Sequence, residues 1–133
     1  MPQITLIDPN LIVEGVCLGF CEIGDVVTFK GKTIEGLPII KKCNIYDEIS
    51  MPARGVITSK HSGNLYTVTL KGKALHLPPV GGEDNNLYIS VDGKLTPIQP
   101  PIVAPYTYHQ IIAFQITRNI ILIDPQIPIK RKL

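Results

Sequence analysis

Three histidines and two closely spaced cysteines are the residues of this sequence that could take part in metal or thiol chemistry. His61, His76 and His109 each stand alone, without a second ligand at the spacing of a metal site. Cys17 and Cys21 could provide two zinc ligands, but no second pair completes the set. On a strand, a spacing of four residues places both side chains on one face, where we expect them to pack in the core. The sequence therefore predicts no metal site.

The number of cysteines also argues against a disulfide framework. Cys17, Cys21 and Cys43 form an odd set, so a fully paired arrangement is excluded. A chain of 133 residues is long enough to bury a hydrophobic core without cross-links. We therefore expect reduced cysteines, as in a protein made in a cytoplasm.

The carboxylates and hydroxyls do not form the pattern of an enzyme. Asp47 and Glu48 are adjacent in a predicted helical turn, and sequence neighbours rarely face one cleft as general acid and base. Asp25 and Asp92 fall in predicted turns, where an aspartate bonds to the local backbone. No serine lies in a Gly-x-Ser-x-Gly elbow, and no glycine-rich phosphate loop precedes a helix. We expect no catalytic residue, no cofactor and no small-molecule substrate.

The elements that carry these residues are predicted to be β-strands. Isoleucine alone accounts for 21 of the 133 residues, and 12 prolines and 11 glycines are spread along the chain. β-Branched side chains favour sheets, and proline interrupts helices. Strands recur about every ten residues with turn residues between them, which is typical of a β-sandwich or small β-barrel. The sequence therefore predicts a compact all-β fold with an extended N-terminal arm and an extended C-terminal tail.

A β-hairpin over 87–96 is the clearest local prediction. Asp92 and Gly93 form an Asp-Gly pair between two β-type runs, and we expect positive φ at both residues. Similar units occur at 26–32 and at 65–73, where turns are expected at 30–32 and at 71–73. The predicted organisation is an extended arm over 1–14, a domain over 15–125 and an extended basic tail over 126–133.

The charge and hydropathy of the chain bear on its partners. The formal net charge is +2, and the one basic cluster lies at the C-terminal end. Nucleic-acid binding would require a broader basic face with aromatic residues, so no nucleic-acid partner is expected. No apolar run reaches the roughly 20 residues that span a bilayer, and the first residues lack the pattern of a signal peptide. We expect no membrane partner.

The order of the strand and turn units resembles a β-rich module of tailed-bacteriophage virions. Such modules occur in capsid decoration (cement) proteins, head fibres and the bases of tail fibres. The resemblance covers roughly residues 15–125. One departure is that such modules often carry glycine at the position of Ile112 or Ala113. The residues that carry the resemblance are 24–27, 53–57, 68–73, 87–90, 92–96, 100–101, 111–113 and 120–125.

The resemblance implies a non-enzymatic structural virion protein on the outer capsid surface, made in the host cytoplasm. Its partner would be the major capsid protein, and it would form a homo-oligomer, a trimer or dimer. The alternative in the same virion is a head- or tail-fibre base, which would be expected to continue into a stalk. A small β-barrel enzyme or ligand-binding domain is the alternative from another class. The residues expected to contact the partner are Ile4, Leu6, Ile7, Leu11, Ile12, Ile127, Ile129, Lys130, Arg131 and Lys132.

Overall fold

The computed structural model describes residues 2–7, 10–81 and 86–133, and within them the prediction of a compact all-β fold is confirmed. The helical element of the described residues is a 3₁₀ turn at Glu48–Ser50, and none of their helices could cross a membrane. The strands are β1 (Gln3–Leu6), β2 (Leu11–Cys17), β3 (Val26–Lys32), β4 (Pro38–Lys42), β5 (Gly55–Lys60), β6 (Leu65–Leu77), β7 (Asn86–Ile89), β8 (Leu95–Thr96), β9 (Tyr106–His109), β10 (Ile111–Gln115), β11 (Ile120–Ile123) and β12 (Ile129–Lys132).

Five strands close into a small barrel in the order β2-β4-β3-β5-β6, because β6 also pairs with β2. The β2–β4 pair is parallel, with Val16 opposite Ile39, and the other pairs of the ring are antiparallel. Closure removes the exposed strand edges of an open sheet. The barrel interior holds a first hydrophobic core, formed by Cys17, Cys21, Val27, Ile40, Ile57, Tyr66 and Val68.

A second, open antiparallel sheet has the order β1-β6-β11-β10-β7-β8. Its core is the larger of the two and also receives Val26 and Val56 from barrel strands. The two sheets share β6, whose first half pairs with β2 and β5 and whose second half pairs with β1 and β11. One long strand therefore connects the two hydrophobic cores.

The turns predicted at 30–32 and 71–73 are wrong, because these residues lie inside β3 and β6. Gly72 has a φ of +154°, which favours glycine, and a Cβ atom there would lie 1.5 Å from Asn10 Oδ1. Gly72 is thus required because β6 lies close to the chain that enters β2, and not because the chain reverses its direction there.

The β7–β8 hairpin is confirmed, but its turn differs from the predicted one. Gly93 has a φ of +79°, and no non-glycine residue of the described chain has positive φ. Gly93 N–H donates to the Ser90 carbonyl at 3.0 Å, and Ser90 N–H donates to the Lys94 carbonyl at 2.7 Å. This pattern is a three-residue loop that ends in a left-handed glycine, so Asp92 keeps an ordinary negative φ.

The two chain ends are extended, as predicted, but they are placed differently. β1 pairs with β6 over Gln3–Leu6, and residues 11–14 belong to β2 of the barrel. The described part of the expected N-terminal arm is therefore built into the sheets rather than separate from them. At the other end, β12 pairs with β9 in a two-stranded ribbon outside both sheets.

Candidate functional site

The structure separates the predicted N-terminal contact residues into two groups. Ile4 and Leu6 are half-buried and pack against the second core, so they are not available to a partner. Ile7, Leu11 and Ile12 are exposed by 48%, 61% and 48%. Only the second group is free to form part of a docking surface.

The predicted C-terminal contact residues are all exposed. Ile127 is 88% exposed and Ile129 is 52% exposed. Lys130, Arg131 and Lys132 continue along β12, and every residue of this strand is solvent-exposed. The tail thus presents apolar and basic side chains together.

One groove brings the two chain ends together. It runs beside the chain segment 124–128 and is lined by Leu11, Leu70 and Ile127 as apolar residues. Arg54 and Lys71 supply positive charge to its wall, and Asp124 supplies one negative charge. We call this depression the tail groove. It joins two predicted contact residues, Leu11 and Ile127, that are far apart in the sequence.

A buried glutamine holds the floor of the tail groove. Gln110 is 2% exposed and accepts a hydrogen bond from Ala53 N–H at 2.9 Å. Its Nε2 donates to the carbonyls of Ala53 at 3.0 Å and Gln126 at 2.6 Å. Because a buried amide must satisfy its donors and acceptors, these bonds fix the point at which the tail leaves the domain.

Local contacts orient the ribbon beyond that point. Lys130 Nζ lies 4.4 Å from the centre of the Tyr106 ring and 3.7 Å from a Glu48 carboxylate oxygen. The Tyr106 and Tyr108 rings pack edge to face at 5.4 Å. These contacts are partly exposed, and such ion pairs contribute at most about 1 kcal/mol. These side chains therefore add little to the attachment of β12, which rests mainly on its pairing with β9.

A second polar cluster lies elsewhere, between the barrel and the β7–β8 hairpin. Asp25 is fully buried, and its Oδ1 accepts from Lys94 Nζ at 2.7 Å and lies 3.5 Å from Lys42 Nζ. Its Oδ2 accepts from Glu22 N–H at 2.9 Å. Lys94 also bonds to the Glu22 carboxylate. Both oxygens of Asp25 are thus engaged in joining the hairpin to the barrel.

The pKa values in this cluster follow from the same contacts. The hydrogen bond from Lys94 lowers the pKa of Glu22 despite some burial. Burial alone would lower the pKa of Lys94, but the bonds to Asp25 and Glu22 outweigh it and raise that pKa. Both shifts favour the charged forms, which suits a structural ion cluster rather than proton transfer.

The prediction that all cysteines are reduced is wrong. Cys17 and Cys21 form a disulfide, with their Cα atoms 6.3 Å apart. On a continuous strand, residues four apart would be about 13 Å apart, but β2 ends at Cys17 and the chain turns back. Cys43 is free and buried, and burial raises its pKa to about 12.

The disulfide closes a short loop at the surface. The exposure of this loop was not predicted from the sequence. Leu18 and Phe20 lie inside it and are exposed by 70% and 78%. The pattern Cys-Leu-Gly-Phe-Cys was the available signal, since a five-residue loop has no interior in which to bury its side chains. These apolar side chains lie outside the tail groove.

The histidines occupy local structural positions. His61 bonds to the Thr67 hydroxyl at 2.6 Å, and His76 bonds to the Pro78 carbonyl at 2.7 Å. His109 bonds to Gln99 and to the Pro100 carbonyl, both at 2.7 Å. Within residues 2–7, 10–81 and 86–133, no three His, Cys, Asp or Glu side chains are grouped as metal ligands.

Comparison with known proteins yields no match, either to a family model, to a curated protein or to a solved structure. The surface of the chain itself must therefore suggest its function.

Proposed function

We propose that this protein is a capsid decoration (cement) protein, a structural virion protein that binds and stabilises the shell of the major capsid protein. The observation that carries the proposal is the tail groove beside the exposed strand β12. There, apolar side chains from both ends of the chain meet a wall of net positive charge and a basic strand. The order of strands and turns that resembles phage virion modules adds to this support.

The physical character of the molecule suits a role in which one domain binds a repeating surface. A closed barrel and a second core joined by one strand give a rigid body. The side chains of Arg54, Lys71 and the residues of β12 complement an acidic shell. Ile127 supplies an exposed apolar anchor, since the buried centre of an interface contributes most of its binding energy.

The proposal includes a homo-oligomer, a trimer or dimer, on the outer capsid surface. Leu18 and Phe20 are exposed apolar side chains outside the tail groove, and they would be covered by contact between copies.

The protein is made in the host cytoplasm on this proposal. Because reducing compartments disfavour disulfides, we expect the Cys17–Cys21 bond to form after release of the virion.

Immunogold labelling of purified virions tests the proposed location. Label distributed over the head is expected. Label at a single vertex or along the tail would instead support a head- or tail-fibre base, and absence of label from intact virions would contradict both virion roles.

Adding purified protein back to particles assembled without it tests the docking surface. Ile127→Asp is expected to reduce the bound copies at least tenfold, because a charge would replace the exposed apolar anchor. Ile34→Asp is the matched control, since Ile34 is another highly exposed isoleucine but lies outside the tail groove. Equal binding of the two variants would contradict docking through the groove.

A further inference from the structure

The outer edge of β12 is available for main-chain pairing. β12 pairs with β9 on one side, and the pairing of the described residues places no strand on its other side. β9 is held from behind, because Tyr108 N–H donates to the Ile45 carbonyl at 2.8 Å. The ribbon is thus attached to the domain through β9 and presents β12 outward.

The hydrogen bond of Tyr108 identifies which backbone groups of β12 are free. In an antiparallel pair, opposite residues alternate between pairs that exchange hydrogen bonds and pairs that do not. Tyr108 N–H points to Ile45 and away from β12, so Tyr108 and its partner Lys130 form a pair without hydrogen bonds. The N–H and C=O groups of Lys130 therefore point outward, and by the same alternation so do those of Lys132. Ile129 and Arg131 bond to β9.

The charge of β12 selects the kind of strand that can pair there. If a second copy added its own β12, lysine and arginine side chains would face each other across the new pair. Like charges directly opposite in a sheet are destabilising, and basic edge strands are a common protection against self-association. An acidic strand would instead place carboxylates opposite these basic side chains, and opposite charges stabilise a strand pair. Glu48 already lies 3.7 Å from Lys130, which demonstrates a carboxylate at this surface.

We propose that the outer edge of β12 is a strand-addition site for an extended, acidic segment of a partner protein. The segment pairs through its main chain with the free groups of Lys130 and Lys132. Acidic residues at alternate positions lie opposite these two lysines, and the apolar residue that follows the one opposite Lys130, away from Lys132, lies opposite Ile129. This inference rests on the proposed docking function, because it specifies how the surface beside the tail groove binds its partner.

Amide hydrogen exchange measured by nuclear magnetic resonance tests the site directly. The probe is a short synthetic peptide of alternating valine and glutamate, and the control is the same peptide with lysine in place of glutamate. The glutamate peptide is expected to slow exchange of the Lys130 and Lys132 amides. The Ile129 and Arg131 amides, already bonded to β9, are expected to change little. Unchanged exchange at Lys130 and Lys132, or equal binding of the lysine peptide, would overturn the proposal.

Two variants separate main-chain pairing from charge. Lys130→Pro removes an outward N–H while leaving the bonds to β9, and it is expected to abolish peptide binding. Lys130→Thr keeps the N–H and a strand-forming side chain, so it is expected to weaken binding only about two- to fivefold, as for an exposed ion pair. Binding by Lys130→Pro at the wild-type level would overturn the proposal. Dimerisation that Lys130→Pro removes would identify a second copy as the occupant and would also overturn it.

The outcomes separate this inference from the proposed function. Immunogold label over the head without peptide protection at β12 would leave the decoration role intact and refute strand addition. Peptide protection without any virion label would support strand addition and refute the decoration role.

Discussion

The two ends of the chain share apolar residues and a proline, but they differ in charge and in what covers them. Residues 2–7 and 127–133 are both extended, rich in isoleucine and leucine, and contain a proline. The first segment lies against the second half of β6 and adds Ile4 and Leu6 to the second core. The last segment pairs only with β9, in a ribbon whose outer strand is exposed along its length.

This difference shows that both the charge of an extended segment and the strand edge that it pairs with decide whether the segment is buried. β6 is 13 residues long, and its second half extends beyond the barrel, where β1 can pair with it. β9 is a four-residue strand that is itself partly buried, but β12 gains only main-chain bonds from it, since all four residues of β12 remain exposed. The N-terminal end therefore stabilises the fold, and the C-terminal end is available for binding.

Deleting either end should reveal the largest contrast. Removal of residues 1–7 uncovers the second half of β6 and takes two side chains from the second core, and we expect a loss of about 3–5 kcal/mol in the free energy of unfolding. Removal of residues 127–133 is expected to cost less than about 1 kcal/mol. Urea denaturation monitored by circular dichroism measures both. Equal losses would refute the distinction between the two ends.

The glutamine beneath the tail groove should have the next largest effect. Gln110→Leu keeps similar volume but leaves Ala53 N–H and two carbonyls without their partner, which predicts a loss of about 2–3 kcal/mol. Gln115→Leu is the control, because the Gln115 amide donates one exposed bond, to the Arg118 carbonyl. Thermal denaturation that ranks the control as the more damaging variant would contradict the role of Gln110.

A matched pair of truncations compares the two ends at single residues. Leu6→Ala removes part of a half-buried side chain packed on the second core, so we expect a loss of about 1–2 kcal/mol. Ile129→Ala should change the unfolding free energy by less than about 0.5 kcal/mol. Chemical denaturation of both variants under one set of conditions gives the difference, and a larger loss for Ile129→Ala would reverse the comparison.

Low pH should reduce the stability of the fold, and residues 127–133 should not contribute to this effect. The pKa of Glu22 is lowered from its ordinary 4.5 in the folded protein, so its stabilising contribution is present above pH 4.5 and is lost as the pH falls below that value. Thermal midpoints measured over an acidic pH series should fall accordingly. The protein without residues 127–133 should show the same fall, and Glu22→Gln should show a smaller one. A steeper dependence in Glu22→Gln would contradict this origin.

The smallest effect concerns the number of reactive thiols, which a thiol titration counts in the folded and the unfolded protein. The oxidised protein is expected to expose one thiol per chain after unfolding, from Cys43, and none while folded. Three thiols in the unfolded, untreated protein would mean that β2 and the loop after it are not closed by a disulfide.

Local features were predictable where neighbouring residues determine them. The β-branched composition predicted the fold class, and the hairpin over 87–96 followed from its turn residues. The partner of each strand was not predictable, because pairing depends on residues distant in sequence. This explains why residues 11–14 were assigned to an arm. In the same way, a glycine is needed at position 72 because Asn10 lies close to it, and not because of the residues next to it in the sequence.

The lining of the tail groove was predictable only in part, since Leu11 and Ile127 were expected at a contact surface whereas Arg54, Lys71 and Gln110 were not. The exposed apolar and basic character of Ile127 and the residues of β12 followed from the sequence. The meeting of Leu11 with Ile127 required the fold, since Leu11 lies on β2 and Ile127 follows the Gln126 carbonyl that Gln110 binds. The loop at Leu18 and Phe20 was missed because a disulfide between residues four apart requires a chain reversal that strand spacing does not predict.

The position of β6 in the chain has a consequence for the order of synthesis. The barrel is complete within residues 11–71, a continuous stretch, because the strands that close it all precede or include the first half of β6. The second sheet requires β11, which ends at Ile123. A nascent chain can therefore close its barrel before the rest of the protein leaves the ribosome. The second half of β6 then extends from that finished barrel as the template on which the remaining strands assemble.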